Sequence, residues 1–265
     1  MKFGMPTLVE CQDVYECRDV ALRYGLDFIE LNMSFPQYQP AALDIGELLK
    51  MQERDGIFFT IHADEMLNLF DFNDKVSQCY FDVMRDTVRF AIEAKIPVIN
   101  LHLLKGVYVT LPNKVVLLSD VYFEKYIEKV KQFIKMCESE IGESGVVIAI
   151  ENVDSNSFTE SQLKALELFM NSRVFALTLD TGHELCLNYS DSHVFERYTD
   201  KLVHMHLHDA KGRSAHLPLG EGEVAINEKL AMLSCERTCL VEVKTIDGLK
   251  KSVEYLKNHG LWERK

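Results

Sequence analysis

Apolar residues along this chain fall into two alternating regimes. Short runs rich in branched and aromatic residues, with alternate positions sharing a character, read as strands, because alternate strand residues share a face. Eight such runs occur, at 2–5, 27–33, 57–62, 97–103, 146–152, 174–180, 202–208 and 239–244. Between them apolar residues recur at three- and four-residue steps, which predicts helices at 9–24, 42–54, 74–94, 120–140, 160–170, 193–198, 226–233 and 249–258. In the fourth, Tyr122, Tyr126, Val130, Phe133, Ile134 and Cys137 form one apolar stripe. Gly142 and Gly260 stand where helices should stop. No Pro-, Gly- or Ser-rich linker divides the chain. The pattern predicts an α/β fold, a (β/α)8 barrel occupying 1–265 as a single domain, ahead of a doubly wound open sheet.

The strand faces differ in chemistry. One face carries Thr60 and His62, Asn100 and His102, Ala149 and Glu151, Thr178 and Asp180, His204 and His206, then Leu240 and Glu242. The other carries Phe59 and Ile61, Ile99 and Leu101, Ile148 and Ile150, Leu177 and Leu179, Met205 and Leu207. Large aliphatics are therefore expected against the helices, with small and polar residues turned into the barrel. His62, His102, Glu151, Asp180, His206 and Glu242 also come at or near the C-terminal ends of their runs. Barrel active sites are assembled at that rim.

Composition narrows the partners. A net charge of −12 disfavours broad attraction to nucleic acid or anionic lipid, which requires Lys and Arg to meet phosphates. The opening MKFGMPTLVE lacks the apolar run of a signal peptide, and no stretch is long enough to span a bilayer. Seven scattered cysteines argue for reduced thiols, so a cytoplasmic protein is expected. Cys235 and Cys239 would need two further soft ligands to hold zinc and read as core thiols.

Several carboxylates gathered in one mouth repel one another unless a cation neutralises them. The strand ends supply little basic charge beyond Lys244, with Lys211 and Arg213 in the preceding loop. A divalent metal on Glu151, Asp180, His206 and Glu242 is the expected solution, with manganese or zinc ahead of cobalt, iron or magnesium. His62, His102 and His183, the last three residues beyond Asp180 across a Gly turn, are candidates for further metal or substrate contacts. So are His216, Glu30, Lys211 and Arg213. His204 reads as a hydrogen-bonded core residue, and His208 and Asp209 as residues that orient the loop or a ligand. Glu221 and Glu223 are expected to cap the next helix or hold their loop, and His193 and His259 to lie at the surface.

These motifs, FIELN (28–32), TIHAD (60–64), NLHLLKG (100–106), IAIENVDS (148–155), LDTGH (179–183), HLHDAKG (206–212), HLPLGEGEV (216–224) and VEVK (241–244), run through most of the chain. In that order they resemble the xylose isomerase-like TIM barrel superfamily, which includes sugar-phosphate isomerases and epimerases and the endonuclease IV-type AP endonucleases. In the isomerase and epimerase branch, the resemblance implies one divalent metal on Glu151, Asp180, His206 and Glu242, with Glu151 and Glu242 also moving protons as catalytic residues. The substrate would be a small sugar, sugar phosphate or related polyhydroxy carbonyl compound. In the endonuclease branch, His62, His102, His183 and His216 would complete a trinuclear zinc cluster for cleaving abasic DNA. There Ser214 stands where that branch has Asp two residues before the last His, which ranks endonuclease second. A non-catalytic metabolite-binding barrel is a third reading. Expected partners are a sugar-like small molecule and at most further copies of the chain, with nucleic acid disfavoured.

Overall fold

The computed structural model describes residues 1–234 and 236–262. Eight parallel strands close into a barrel: β1 Lys2–Pro6, β2 Phe28–Asn32, β3 Phe58–His62, β4 Val98–His102, β5 Val147–Glu151, β6 Phe175–Asp180, β7 Leu202–Leu207 and β8 Thr238–Val241. Each pairs with its neighbours in chain order. β8 closes the ring on β1, with Lys2 opposite Thr238 and Gly4 opposite Leu240. Around the ring lie α1 Val14–Tyr24, α2 Ile45–Asp55, α3 Asp74–Glu93, α4 Phe123–Ile141, α5 Glu160–Met170, α6 Thr181–Cys186, α7 Ser192–Arg197, α8 Ile226–Met232 and α9 Ile246–Asn258. Among the described residues, no helix is long and apolar enough to cross a membrane.

The two strand faces behave as their chemistry demands. Phe59, Ile61, Ile99, Ile150, Leu179 and Leu207 are fully buried in the layer between barrel and helices. Each such side chain contributes roughly 1.5–3 kcal/mol by leaving water, so this outer layer carries the fold. The barrel interior is freed to hold polar groups at its C-terminal end. Lower down it is filled by Phe28, Ala149 and Ala176, and Phe28 lies where a Cβ on Gly4 would stand.

Four departures from the sequence pattern bear on the site. The last strand ends at Val241, not 244: the Glu242 N–H still bonds to the Leu207 carbonyl, but Val243 turns back on Val241 to enter α9. Residues 120–140 are broken at Tyr122, which caps α4 and is half-exposed, while Tyr126, Val130, Phe133 and Cys137 form the buried stripe. The Asp180–His183 segment is no Gly turn; Asp180 caps α6, accepting the His183 N–H at 2.6 Å. Two hairpins, Tyr108–Leu111 with Lys114–Leu117 and Asp209–Lys211 with Ser214–Leu217, were not evident in the pattern. Helices α4 and α9 do end beside Gly142 and Gly260. Of the two cysteines considered for zinc, Cys235 lies outside the described residues and Cys239 is buried in β8.

Candidate metal centre

Register brings the ligand-type residues to one level. Asp180 pairs with His206 across β6 and β7, and His102 with Glu151 across β4 and β5. His62, His102, Glu151 and Asp180 are the last residues of their strands, and Glu242 follows β8 directly. Glu151, Asp180, His206 and Glu242 are all buried, and one ligand atom from each lies within 4.8 Å of the others.

His206 is the hub. Its Nδ1 lies 3.1 Å from Glu151 Oε1, 3.0 Å from Glu242 Oε2 and 3.9 Å from Asp180 Oδ2. None of His206 Nδ1, Glu151 Oε1 and Glu242 Oε2 has an aligned hydrogen bond, although all are shut away from water. Buried polar atoms left without partners are costly. Three convergent ones, with two carboxylates among them, are a donor set that would suit a divalent cation. Oxygen and imidazole donors without thiolate suit zinc, manganese, cobalt or iron.

Burial opposes ionisation of His206, but Glu151, Glu30 and Glu242 around it hold its pKa well above the ordinary value. Burial pushes Glu151 up, yet His206 and His102 bring it well below the usual carboxylate range. For Glu242 burial is likewise overcome, first by Lys244 and then by His206. Lys244 Nζ lies 2.6 Å from Glu242 Oε1.

The remaining candidates divide into groups. His62 and His102 approach the other oxygen of Glu151, at 3.5 and 3.1 Å, and Asn100 donates to that same atom. His62 is held up to about 9, burial being outweighed by Glu151. His183 Nδ1 faces the Asn152 carbonyl at 3.1 Å and lies 3.4 Å from Asp180. His216, with a left-handed backbone at φ 58°, lies 3.9 Å from Glu242 Oε1, and burial lowers its pKa to about 4. Glu30 is fully enclosed below His206 and receives the Thr60 hydroxyl at 2.8 Å. Lys211 is turned to solvent against Glu223 at 3.7 Å, and Arg213 is exposed at the hairpin turn.

The supporting residues have clear tasks. His204 is a buried core histidine bonded to Thr238 and Glu30, and His193 and His259 are at the surface. His208 Nε2 lies 3.0 Å from Asp180, and α6 packs so closely here that a Cβ on Gly182 would fall 2.0 Å from the His208 ring. Asp209 holds the LGEGEV loop, accepting the N–H groups of Ala210, Gly220, Gly222 and Val224. A side chain at Gly222 would meet that carboxylate at 2.3 Å. Glu221 and Glu223 instead reach Lys251 and Lys211, and α8 has no side-chain cap. Sequence reasoning missed Asn152, whose amide clamps the Asp180 backbone at 2.8 and 2.9 Å, and Glu65, which accepts from Asn32. Asn152 falls on the outward face of its run, so periodicity gave no sign of it.

Two cavities of about 350 and 320 Å³ open beside these residues, and both are lined by His62, Glu65, Glu242 and Lys244.

Comparison with known proteins places this fold. A crystal structure of a D-tagatose 3-epimerase-like protein superposes with a TM-score of 0.79 at 22% identity, covering 98% of this chain and 97% of that one. The IolI protein with a bound zinc atom gives 0.74 at 15% identity, over 98% and 97%. D-psicose 3-epimerase from Clostridium cellulolyticum H10, solved with D-tagatose, gives 0.69 at 17% identity, over 95% and 90%. At these identities the likeness speaks to fold. An uncharacterized protein of Methanocaldococcus jannaschii is 27% identical over 204 residues, 75% of this chain and 76% of its own. The family model described as xylose isomerase-like TIM barrel matches residues 18–259. The chain therefore belongs to the xylose isomerase-like TIM barrel family.

Proposed function

We propose that the protein is a divalent-metal-dependent isomerase or epimerase of a small polyhydroxylated carbonyl compound. One ion is held by Glu151, Asp180, His206 and Glu242. The observation that carries this reading is the convergence of Glu151 Oε1, His206 Nδ1 and Glu242 Oε2, buried and without hydrogen-bond partners. A cation there would polarise the substrate carbonyl and acidify the adjacent C–H. Glu151 and Glu242 then remove and return the carbon-bound proton, each keeping one oxygen outside the group around His206 Nδ1. His62 and His102 face that second oxygen of Glu151 and stabilise its charged form; Lys244 does the same for Glu242.

The cavities are within the range of small-molecule sites, roughly 300–1,000 Å³. Among the described residues lining them, Lys244 is the sole Lys or Arg, and it is engaged by Glu242. Glu65 and Asp154 add negative charge. A phosphate ester would want free cationic donors, so we favour an uncharged sugar. Support also comes from the epimerases of similar fold. The test is exchange of a substrate carbon-bound proton with solvent: loss in both Glu151→Gln and Glu242→Gln supports the reading, and retention in both sinks it.

A second reading, zinc-dependent cleavage at abasic DNA, draws on His62, His102, His183 and His216, which flank the four ligands. Against it stand the exposed Ser214 and the acidic mouth. Robust incision of an abasic duplex with zinc supplied would reverse the order.

A further inference from the structure

Fourteen large apolar residues stand exposed among the described residues, and seven of them fall between 107 and 122. Val107, Tyr108, Val109, Leu111 and Val115 belong to the hairpin that follows β4, and Val121 and Tyr122 lie at its base. Residues directly opposite each other on paired strands share a face. Tyr108 with Leu117 therefore occupies one side of the ribbon, and Val109 with Val116 the other. Tyr108 is 48% exposed and Val109 46%, so neither side is laid down on the barrel. The seven residues present on the order of 600 Å², a patch of the size that marks an interaction site and most of the roughly 800 Å² per partner in a standard interface.

The ribbon also has open edges, since its two strands pair only with each other. Leu111 is opposite Lys114 across the Pro112-Asn113 turn, and the Leu118 N–H bonds to the Val107 carbonyl at 3.0 Å. Antiparallel ladders alternate, so Val107, Val109 and Leu111 turn their backbone groups inward, while Tyr108 and Thr110 turn theirs to the open edge. The opposite edge carries Lys114, and a charge there discourages pairing. Tyr108–Leu111 carries none. An uncharged edge of aromatic and branched residues is a template for strand addition.

Charge narrows the occupant. The chain carries −12, so two copies repel wherever their carboxylates face each other. Residues 94–119 contain no Asp or Glu, which makes this the segment where two such chains can meet. Nucleic acid or an anionic membrane would call for more cations than Lys105 and Lys114, and Lys105 already lies over the Tyr108 ring at 4.8 Å. A second copy brings a matching open edge of its own.

We propose that Tyr108–Leu111 is a self-association edge: it pairs antiparallel with the same edge of a second copy across a twofold axis, so that two hairpins form one four-stranded sheet. The proposal is independent of the metal reading. It places the second copy near the barrel mouth, because Leu104, just before the ribbon, lines the cavity of about 320 Å³.

Sedimentation velocity on the full chain between about 1 and 100 μM tests it. Wild type should sediment at twice the chain mass over most of that range. Thr110→Pro removes an N–H that faces the open edge and leaves the hairpin's own ladder whole. Val109→Lys puts a charge on the apolar face. Each should weaken association by about tenfold or more, with an unchanged circular dichroism spectrum. Leu22→Lys, at an exposed apolar position on α1, should leave the dimer as it is. A wild type that stays monomeric throughout overturns the proposal, as does a dimer that both hairpin variants leave intact.

Discussion

Glu151 and Glu242 have matching positions toward His206 and contrasting positions toward everything else. Each sets one oxygen about the same distance from His206 Nδ1, at 3.1 and 3.0 Å. The second oxygen of Glu151 is packed under Asn100, His62 and His102, in a wall whose histidine side chains are at most 15% exposed. The second oxygen of Glu242 meets Lys244, whose side chain is 54% exposed. Charges facing each other in a closed wall interact with little screening, whereas water and salt weaken a half-exposed pair. Two carboxylates can thus serve one ion equally while differing in how firmly the rest of the molecule holds them. The Glu151 wall is nearly closed; the Glu242 wall is half-open at Lys244.

This contrast can be broken or sharpened at several points. Glu151→Gln and Glu242→Gln should each slow solvent exchange of the substrate proton by about 10²–10⁴-fold, the ordinary worth of a positioned acid–base group. Proton NMR in D2O measures it, and near-normal exchange in one variant would assign the proton work to the other wall. Asp209→Ala should destabilise the chain by about 3 kcal/mol, because four backbone N–H groups lose a charged acceptor. Urea unfolding reads that loss. The same substitution should loosen His216 beside Glu242 and leave the His62 and His102 signals in place; equal disturbance of both walls would contradict their independence.

His102→Gln removes a partner of Glu151 from the closed wall and should weaken zinc binding by roughly 10–100-fold, measured by chelator competition. Lys244→Gln tests the open wall. A half-exposed ion pair is worth at most about 1 kcal/mol, so zinc affinity should fall no more than about fivefold, and less in high salt. If Lys244→Gln cost as much as His102→Gln, the distinction between the walls would collapse.

The strand faces were legible because a period of two separates the aliphatics that meet the helices from the polar groups inside. Their shared position at run ends made the rim legible as well, and with it His62, His102, Glu151, Asp180 and His206. Glu242 was found although β8 stops before it, since one turn past a strand end still points into the mouth. The Tyr108–Leu117 hairpin escaped because both its faces are apolar, through Val109 and Val116 on one side and Tyr108 and Leu117 on the other, so no alternation marks it. The helix that begins after Asp180 escaped because Thr-Gly-His reads locally as a turn. Only the His208 ring, distant in sequence, explains the glycine there. Lys211 and Arg213 follow His206 closely in sequence, yet the hairpin carries them outward. The roles of Asp209 and Asn152 depend on backbone N–H and C=O groups brought from elsewhere, which no side-chain pattern records.

The central claim is one divalent ion on four ligands, and anomalous diffraction from crystals grown with manganese or zinc tests it most directly. The expected map has a single strong peak among Glu151, Asp180, His206 and Glu242, with elemental analysis near one ion per chain. No peak there, or additional full peaks at His62 with His102 and at His183 with His216, would contradict it.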